Sequence, residues 1–137
     1  MAAPSRTSAG FDSGTNRMRL SAAAAASVTV GAGLGLRAAA AGDVAKYGGD
    51  ALYTLLIVAL VVLVVPRVTA WKAGAVALAV SWGVELLQLS ELPAELSRRS
   101  TAARLVLGST FNPPDLFWYA VGAFAGWLVL ASRRTGR

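Results

Sequence analysis

Glu85 and Gln88 sit three residues apart in the apolar stretch "AVSWGVELLQLS", with no Lys or Arg close by in sequence. The chain has no cysteine and no histidine. That removes thiolate chemistry and the commonest general base and metal ligand. Any chemistry must therefore run on carboxylates, Arg, Lys, Tyr and hydroxyls. Two further pairs repeat the pattern of an acid plus a hydrogen-bonding partner. Asp50 and Tyr53 are three apart, and Asp115 and Tyr119 are four apart, so each pair shares one face of a helix. Carboxylates alone could hold Mg²⁺ or Ca²⁺, but no spacing here specifies a metal site, and no cofactor is implied.

The elements that carry these residues are apolar and long. Of 137 residues, 55% are hydrophobic and only 15% charged, and the mean hydropathy is +0.56. A soluble domain has about a quarter of its residues charged. The apolar residues also fall in runs, which indicates a single-domain integral membrane protein. Four segments are expected to cross the bilayer as helices: 20–41, 47–65, 68–89 and 115–131. Each approaches the ~20 residues needed to span about 30 Å of hydrocarbon. Pro66 ends the second, and "FNPPD" begins the fourth with Asn112 as N-cap. The fold class is thus an all-α, four-helix transmembrane bundle over 19–132. Residues 1–18 are expected to form a disordered cytoplasmic tail, and 133–137 a second short tail.

Between the third and fourth spans, "ELPAELSRRSTAARLVLG" places Leu92, Leu96, Ala103 and Leu107 on one face of a short helix lying in the membrane interface. Gly31 with Gly35, and Gly122 with Gly126, have the small-xxx-small spacing of close helix packing. Packing within one bundle is the preferred reading for both pairs, with dimerisation the alternative.

Orientation follows from the basic residues. Arg6, Arg17, Arg19, Arg67, Lys72, Arg133, Arg134 and Arg137 flank one side of the membrane, with Asp12 the only acid there. Arg37, Lys46, Arg98, Arg99 and Arg104 flank the other, together with the remaining six acids. The positive-inside rule puts both termini in the cytoplasm. The net charge of +6 is therefore a matter of membrane orientation, and no nucleic-acid partner is expected. A cleaved signal peptide ending near "RAAAAGD" is the rival reading of the first segment. The length of that segment and Arg37 within it favour retention.

With that orientation, Arg37, Lys46, Tyr47, Asp50, Tyr53, Glu85, Gln88, Asp115 and Tyr119 reach one level at the outer face, with Arg99 and Arg104 above them. A carboxylate as deep as Glu85 costs several kcal/mol unless paired or protonated. Arg99 or Arg37 is the expected partner, because a guanidinium can bridge a carboxylate and an amide oxygen. Each residue also has a plain structural reading. Asp115 can serve the first turn of its helix, the aromatics can form an interfacial belt, Arg37 and Lys46 can snorkel to water, and Glu85 can belong to a structural ion pair.

The fragments "GLGLR", "KYGGDALYTLL", "ELLQL", "RST", "LVLGSTF" and "DLFWYAVG" occur in this order. In this the chain resembles the small bacterial membrane family catalogued as domain of unknown function 2809 (DUF2809), over residues 33–126. The resemblance implies the same topology and marks Arg37, Lys46, Tyr47, Asp50, Glu85, Gln88, Arg99, Asp115 and Tyr119. More distantly, the order of Lys, Glu-x-x-Gln, Arg, Asp and Gly is similar to VanZ-like membrane proteins, a group associated with glycopeptide resistance. That group carries a His after its Lys motif and an Asn after its Asp. Here there is no His, and Tyr119 follows Asp115 by four.

Three functions fit these residues. The first is an outer-face pocket that binds or transports a small polar solute, a cation or a lipid head group. The second is an enzyme acting on a lipid-linked phosphate, with Asp50, Glu85 or Asp115 as base and Arg99 and Arg104 clamping the phosphate. The third is a structural partner subunit of an envelope complex. Binding or transport ranks first, because neither a His nor a metal motif is present.

Overall fold

The computed structural model describes residues 7–108 and 111–136, and all the regular structure among them is helical. Six helices follow in order: α1 (Thr7–Ala39), α2 (Gly42–Val64), α3 (Ala70–Leu87), α4 (Leu92–Arg99), α5 (Thr101–Leu107) and α6 (Pro113–Thr135). Four of them contain apolar stretches long enough to cross a membrane: Ser13–Ala39, Gly42–Val64, Ala70–Leu87 and Pro113–Thr135. The protein is a four-span helical membrane protein, as its sequence leads one to expect.

The helix limits follow from local chemistry. Gly42 adopts φ 64°, which lets the chain leave α1 and enter α2 across only Ala40 and Ala41. Pro66 stops α2, and Val65 before it has left the helical region (φ −124°, ψ 78°). Helix α1 begins at Thr7, inside the stretch expected to be a disordered tail. No proline interrupts residues 7–20, so a helix nucleated in the apolar part propagates backwards at little cost. Residues 1–6 of that expected tail lie outside the described residues.

Helix α2 is the centre of the bundle. It packs on α1, α3 and α6, and α6 also packs on α3. The α2–α6 approach depends on missing side chains. A Cβ at Gly122 would run into the backbone oxygen of Ala51, and one at Gly126 would lie 2.8 Å from Val58 Cγ2. Val58, Val62, Ala73, Ala77 and Leu130 form the buried core beside this seam, with Ala22 of α1. Thr54 and Ser81 are fully buried and hydrogen-bond at 2.8 Å, a polar tie between α2 and α3. The Gly31–Gly35 pair behaves differently: a Cβ at either position would meet nothing within 4 Å. Only the second small-xxx-small pair is used inside the bundle. Large apolar side chains such as Leu20, Val28, Trp71, Phe117 and Val129 point outward, as a lipid-facing surface requires.

The connection between α3 and α6 forms two helices, where one was expected. Ser100 turns extended (φ −146°, ψ 127°), and its hydroxyl accepts from the Ala103 N–H to start α5. The break means that Leu92, Leu96, Ala103 and Leu107 do not share one face. Leu92 and Leu96 are exposed, whereas Ala103 and Leu107 are half-buried. Pro93 and Ser97 form the buried side of α4, where the Ser97 hydroxyl donates to the Gly108 carbonyl at 2.9 Å.

Candidate functional site

Alternating helix directions bring the C-terminal ends of α1 and α3 together with the N-terminal ends of α2 and α6. The polar residues of the sequence meet at this end. Lys46, in the second turn of α2, reaches both carboxylate oxygens of Asp115 at 2.7 and 2.6 Å. The pair is asymmetric: the Asp115 side chain is 6% exposed and that of Lys46 43%. The ammonium thus keeps part of its hydration while neutralising a buried acid. The Asn112 side chain donates to the same carboxylate at 2.7 Å. Asn112 occupies the N-cap position of α6, but its side chain caps no backbone N–H. The two following prolines have no N–H to cap, which frees the amide for Asp115.

Glu85 is completely buried. Its Oε1 accepts from the Asn112 backbone N–H at 2.6 Å, and its Oε2 from the Tyr119 hydroxyl at 3.2 Å. This corrects the expectation of an arginine partner. Arg99 instead pairs with Glu95 at 2.9 Å, and so does Arg98, one helical turn apart on the exposed side of α4. These two guanidiniums, Arg98 foremost, hold the Glu95 carboxyl below the usual carboxylate range. Arg37, in the last turn of α1, is exposed and makes no ion pair among the described residues. Glu85 therefore relies on neutral donors. One of them, the Asn112 N–H, ties the end of α3 to the start of α6.

Aromatic side chains frame the cluster. Tyr53 lies against Tyr119 with ring centroids 6.0 Å apart, Tyr47 stacks on Trp118 at 5.5 Å, and Trp82 Nε1 donates to the Leu116 carbonyl at 2.9 Å. Gln88 donates through Nε2 to the Leu107 carbonyl. That contact requires glycine next to it: Gly108 has φ 65°, and a Cβ there would lie 2.6 Å from Gln88 Nε2.

Beside the cluster opens a cleft of about 810 Å³ between α1, α2, α3, α5 and α6, with polar walls from Arg37, Lys46, Asp50, Gln88, Asp115 and Tyr119. Tyr53 also lines it. Two acceptors on residues of this wall, Asp50 Oδ2 and Gln88 Oε1, are closed off from solvent and have no hydrogen-bond partner among the described residues, and the Asp50 carboxyl lies against that of Asp115. Of the residues singled out in sequence, Glu85 sits behind the wall and Tyr47 outside it, while Arg99 and Arg104 lie exposed and do not line the cleft. Sequence reasoning missed Asn112 as the residue joining the two acids, and missed the Thr54–Ser81 tie. Both depend on pairing across helices, for which the chain carries no local signal. Among the described residues no group of His, Cys, Asp or Glu is arranged to hold a metal ion.

The fold and site define a class: a small four-span helical membrane protein with buried carboxylates gathered at one end of the bundle. Residues 40–123 match the sequence model of the family described as "Protein of unknown function (DUF2809)", and the chain belongs to that family. The match is narrower than the resemblance seen in the sequence, so α1 and Arg37 fall outside it. No curated protein and no solved structure matches the chain.

Proposed function

We propose that this protein is a binding or transport module of the cell membrane, with both termini in the cytoplasm, and that its outer-facing cleft takes a polar ligand rich in hydrogen-bond donors. One observation supports the reading: Asp50, Gln88 and Asp115, all hydrogen-bond acceptors, line the cleft at this end of the bundle. The charge balance points the same way. Asp50, Glu85 and Asp115 gather at one end, and Lys46 is the cation bonded inside the cluster. A cationic or donor-rich ligand offsets that excess. The enzymatic alternative draws no support from the arginines it needs, since Arg99 is engaged with Glu95 and Arg104 is exposed away from the cleft. The likeness in residue order to VanZ-like proteins is compatible with work at the outer face and names no ligand.

The test is a thermal-shift series on purified protein with ethanolamine, spermidine, Na⁺, K⁺ and inorganic phosphate. An amine that raises the Tm of the wild type but not of Asp50→Asn supports the reading. Equal responses of the two proteins to every probe contradict it. The orientation has its own test, helped by the absence of cysteine. Ser90→Cys should react with a membrane-impermeant maleimide in intact cells, and reaction only after permeabilisation would reverse the topology.

A further inference from the structure

The cleft is not uniformly polar, and its gradient says what enters it. Its polar walls lie at the end of the bundle, but it extends down α1 from Arg37 to Thr29 and down α2 from Lys46 to Leu56. At 1.5 Å per residue those limbs are about 12 and 15 Å long. The deep part is lined by Val30, Leu34, Leu52 and Leu56, with Leu105 and Val106 of α5 across the mouth. A small polar solute has no use for an apolar limb of that length, whereas an acyl chain fills it.

The side wall has the matching property. Helix α1 packs on α2 and makes no substantial contact with α3 or α6. A Cβ at Gly31 or Gly35 would meet nothing within 4 Å. The α1 edge is therefore left open to the bilayer. The volume of about 810 Å³ falls in the upper part of the ~300–1,000 Å³ range of ligand pockets, enough for a head group and the upper part of a chain.

The polar end specifies two charges. Asp50 and Gln88 line it as hydrogen-bond acceptors. Arg37 lines the same cleft and has no ion pair among the described residues, so its guanidinium is free for a phosphate. We infer that the ligand is a zwitterionic phospholipid with a primary ammonium head group of the phosphoethanolamine type. The ammonium faces Asp50 and Gln88, the phosphate faces Arg37, and one acyl chain lies along α1 and α2. This rests on the ligand-binding reading above and gives it a substrate class.

Head-group chemistry makes the inference testable without a mutant. A trimethylammonium group carries the same charge but has no N–H, so it cannot satisfy either acceptor. Binding to the full-length protein in detergent is measured by native mass spectrometry with four probes. These are a phosphoethanolamine lipid, the phosphocholine lipid with identical chains, a phosphoglycerol lipid and free phosphoethanolamine. The phosphoethanolamine lipid should bind about tenfold more tightly than its phosphocholine twin, the scale of one charge-assisted hydrogen bond. Arg37→Gln and Asp50→Asn should each erase most of that preference. Equal binding of the two lipids overturns the inference. Free phosphoethanolamine binding as tightly as the lipid also overturns it, while leaving the binding function standing. If none of the four probes binds, and the soluble amines of the thermal-shift series also fail, both proposals fall.

Discussion

Replacing Glu85 separates two physical pictures of this molecule. An intramembrane carboxylate held by an arginine would leave an uncompensated buried guanidinium when neutralised, at a cost of about 3–5 kcal/mol. The structure supplies two neutral donors instead, the Asn112 N–H and the Tyr119 hydroxyl. In Glu85→Gln the amide oxygen can still accept from Asn112, and the Tyr119 hydroxyl can rotate to accept from the new NH₂. The loss is then the charge assistance of two hydrogen bonds, about 1–2 kcal/mol in total. Glu85→Ala removes both acceptors from a completely buried site and opens a cavity, which should cost about 3–5 kcal/mol. Equilibrium unfolding in mixed micelles measures the difference. A double-mutant cycle with Tyr119→Phe should show a coupling of about 1 kcal/mol or more to Glu85. If Glu85→Gln proves as damaging as Glu85→Ala, or the coupling to Tyr119 is nil, Glu85 has a partner other than those described.

The other predictions concern packing and backbone. Gly122→Ala should destabilise by about 1–3 kcal/mol, because its Cβ meets the Ala51 backbone. Gly126→Ala should cost less, since the Val58 side chain can turn aside. Gly31→Ala and Gly35→Ala should be neutral or slightly stabilising, because those sites are open and alanine favours helix by up to ~1 kcal/mol. Thermal unfolding of the four variants in one detergent ranks them. Gly108→Ala should cost about 1–3 kcal/mol, because its backbone (φ 65°, ψ −170°) is a conformation open essentially to glycine alone. The new methyl also presses on Gln88, and slowed amide exchange at the end of α5 should be lost. For Glu95 the folded pKa is depressed below its ordinary 4.5. Its contribution to α4 is therefore complete above pH 4.5 and disappears as pH falls through the folded value. Hydrogen exchange across α4, corrected for its intrinsic pH dependence, should be level from pH 7 to 5 and rise only in stronger acid. A rise centred near neutrality would contradict the pairing.

The parts of the structure legible in the sequence are those written by local rules. Hydropathy marked four spans, Pro66 and Pro113 fixed two boundaries, and i, i+3 or i, i+4 spacing put Asp50 with Tyr53 and Asp115 with Tyr119 on their faces. Charge patterning even located the end at which the acids meet. Partner choice was not legible, because it depends on the approach of helices distant in sequence. Lys46 finds Asp115 across 69 positions, and Glu85 finds a backbone N–H at Asn112, which side-chain chemistry does not announce. Arg99 or Arg37 is the partner that guanidinium chemistry suggests for Glu85, but Arg99 lies on α4 paired with Glu95 and Arg37 makes no ion pair among the described residues. The two glycine pairs show the same limit: identical spacing packs α6 against α2 and leaves α1 open.

The most direct test is a structure of the protein in a phosphoethanolamine-containing lipid nanodisc, read at the cleft between α1, α2 and α6. The expected result is ligand density that touches Asp50, Gln88 and Arg37 and continues as a chain past Leu34 and Leu56. A cleft closed by α1 moving onto α6, with protein donors satisfying Asp50 Oδ2 and Gln88 Oε1, would contradict it.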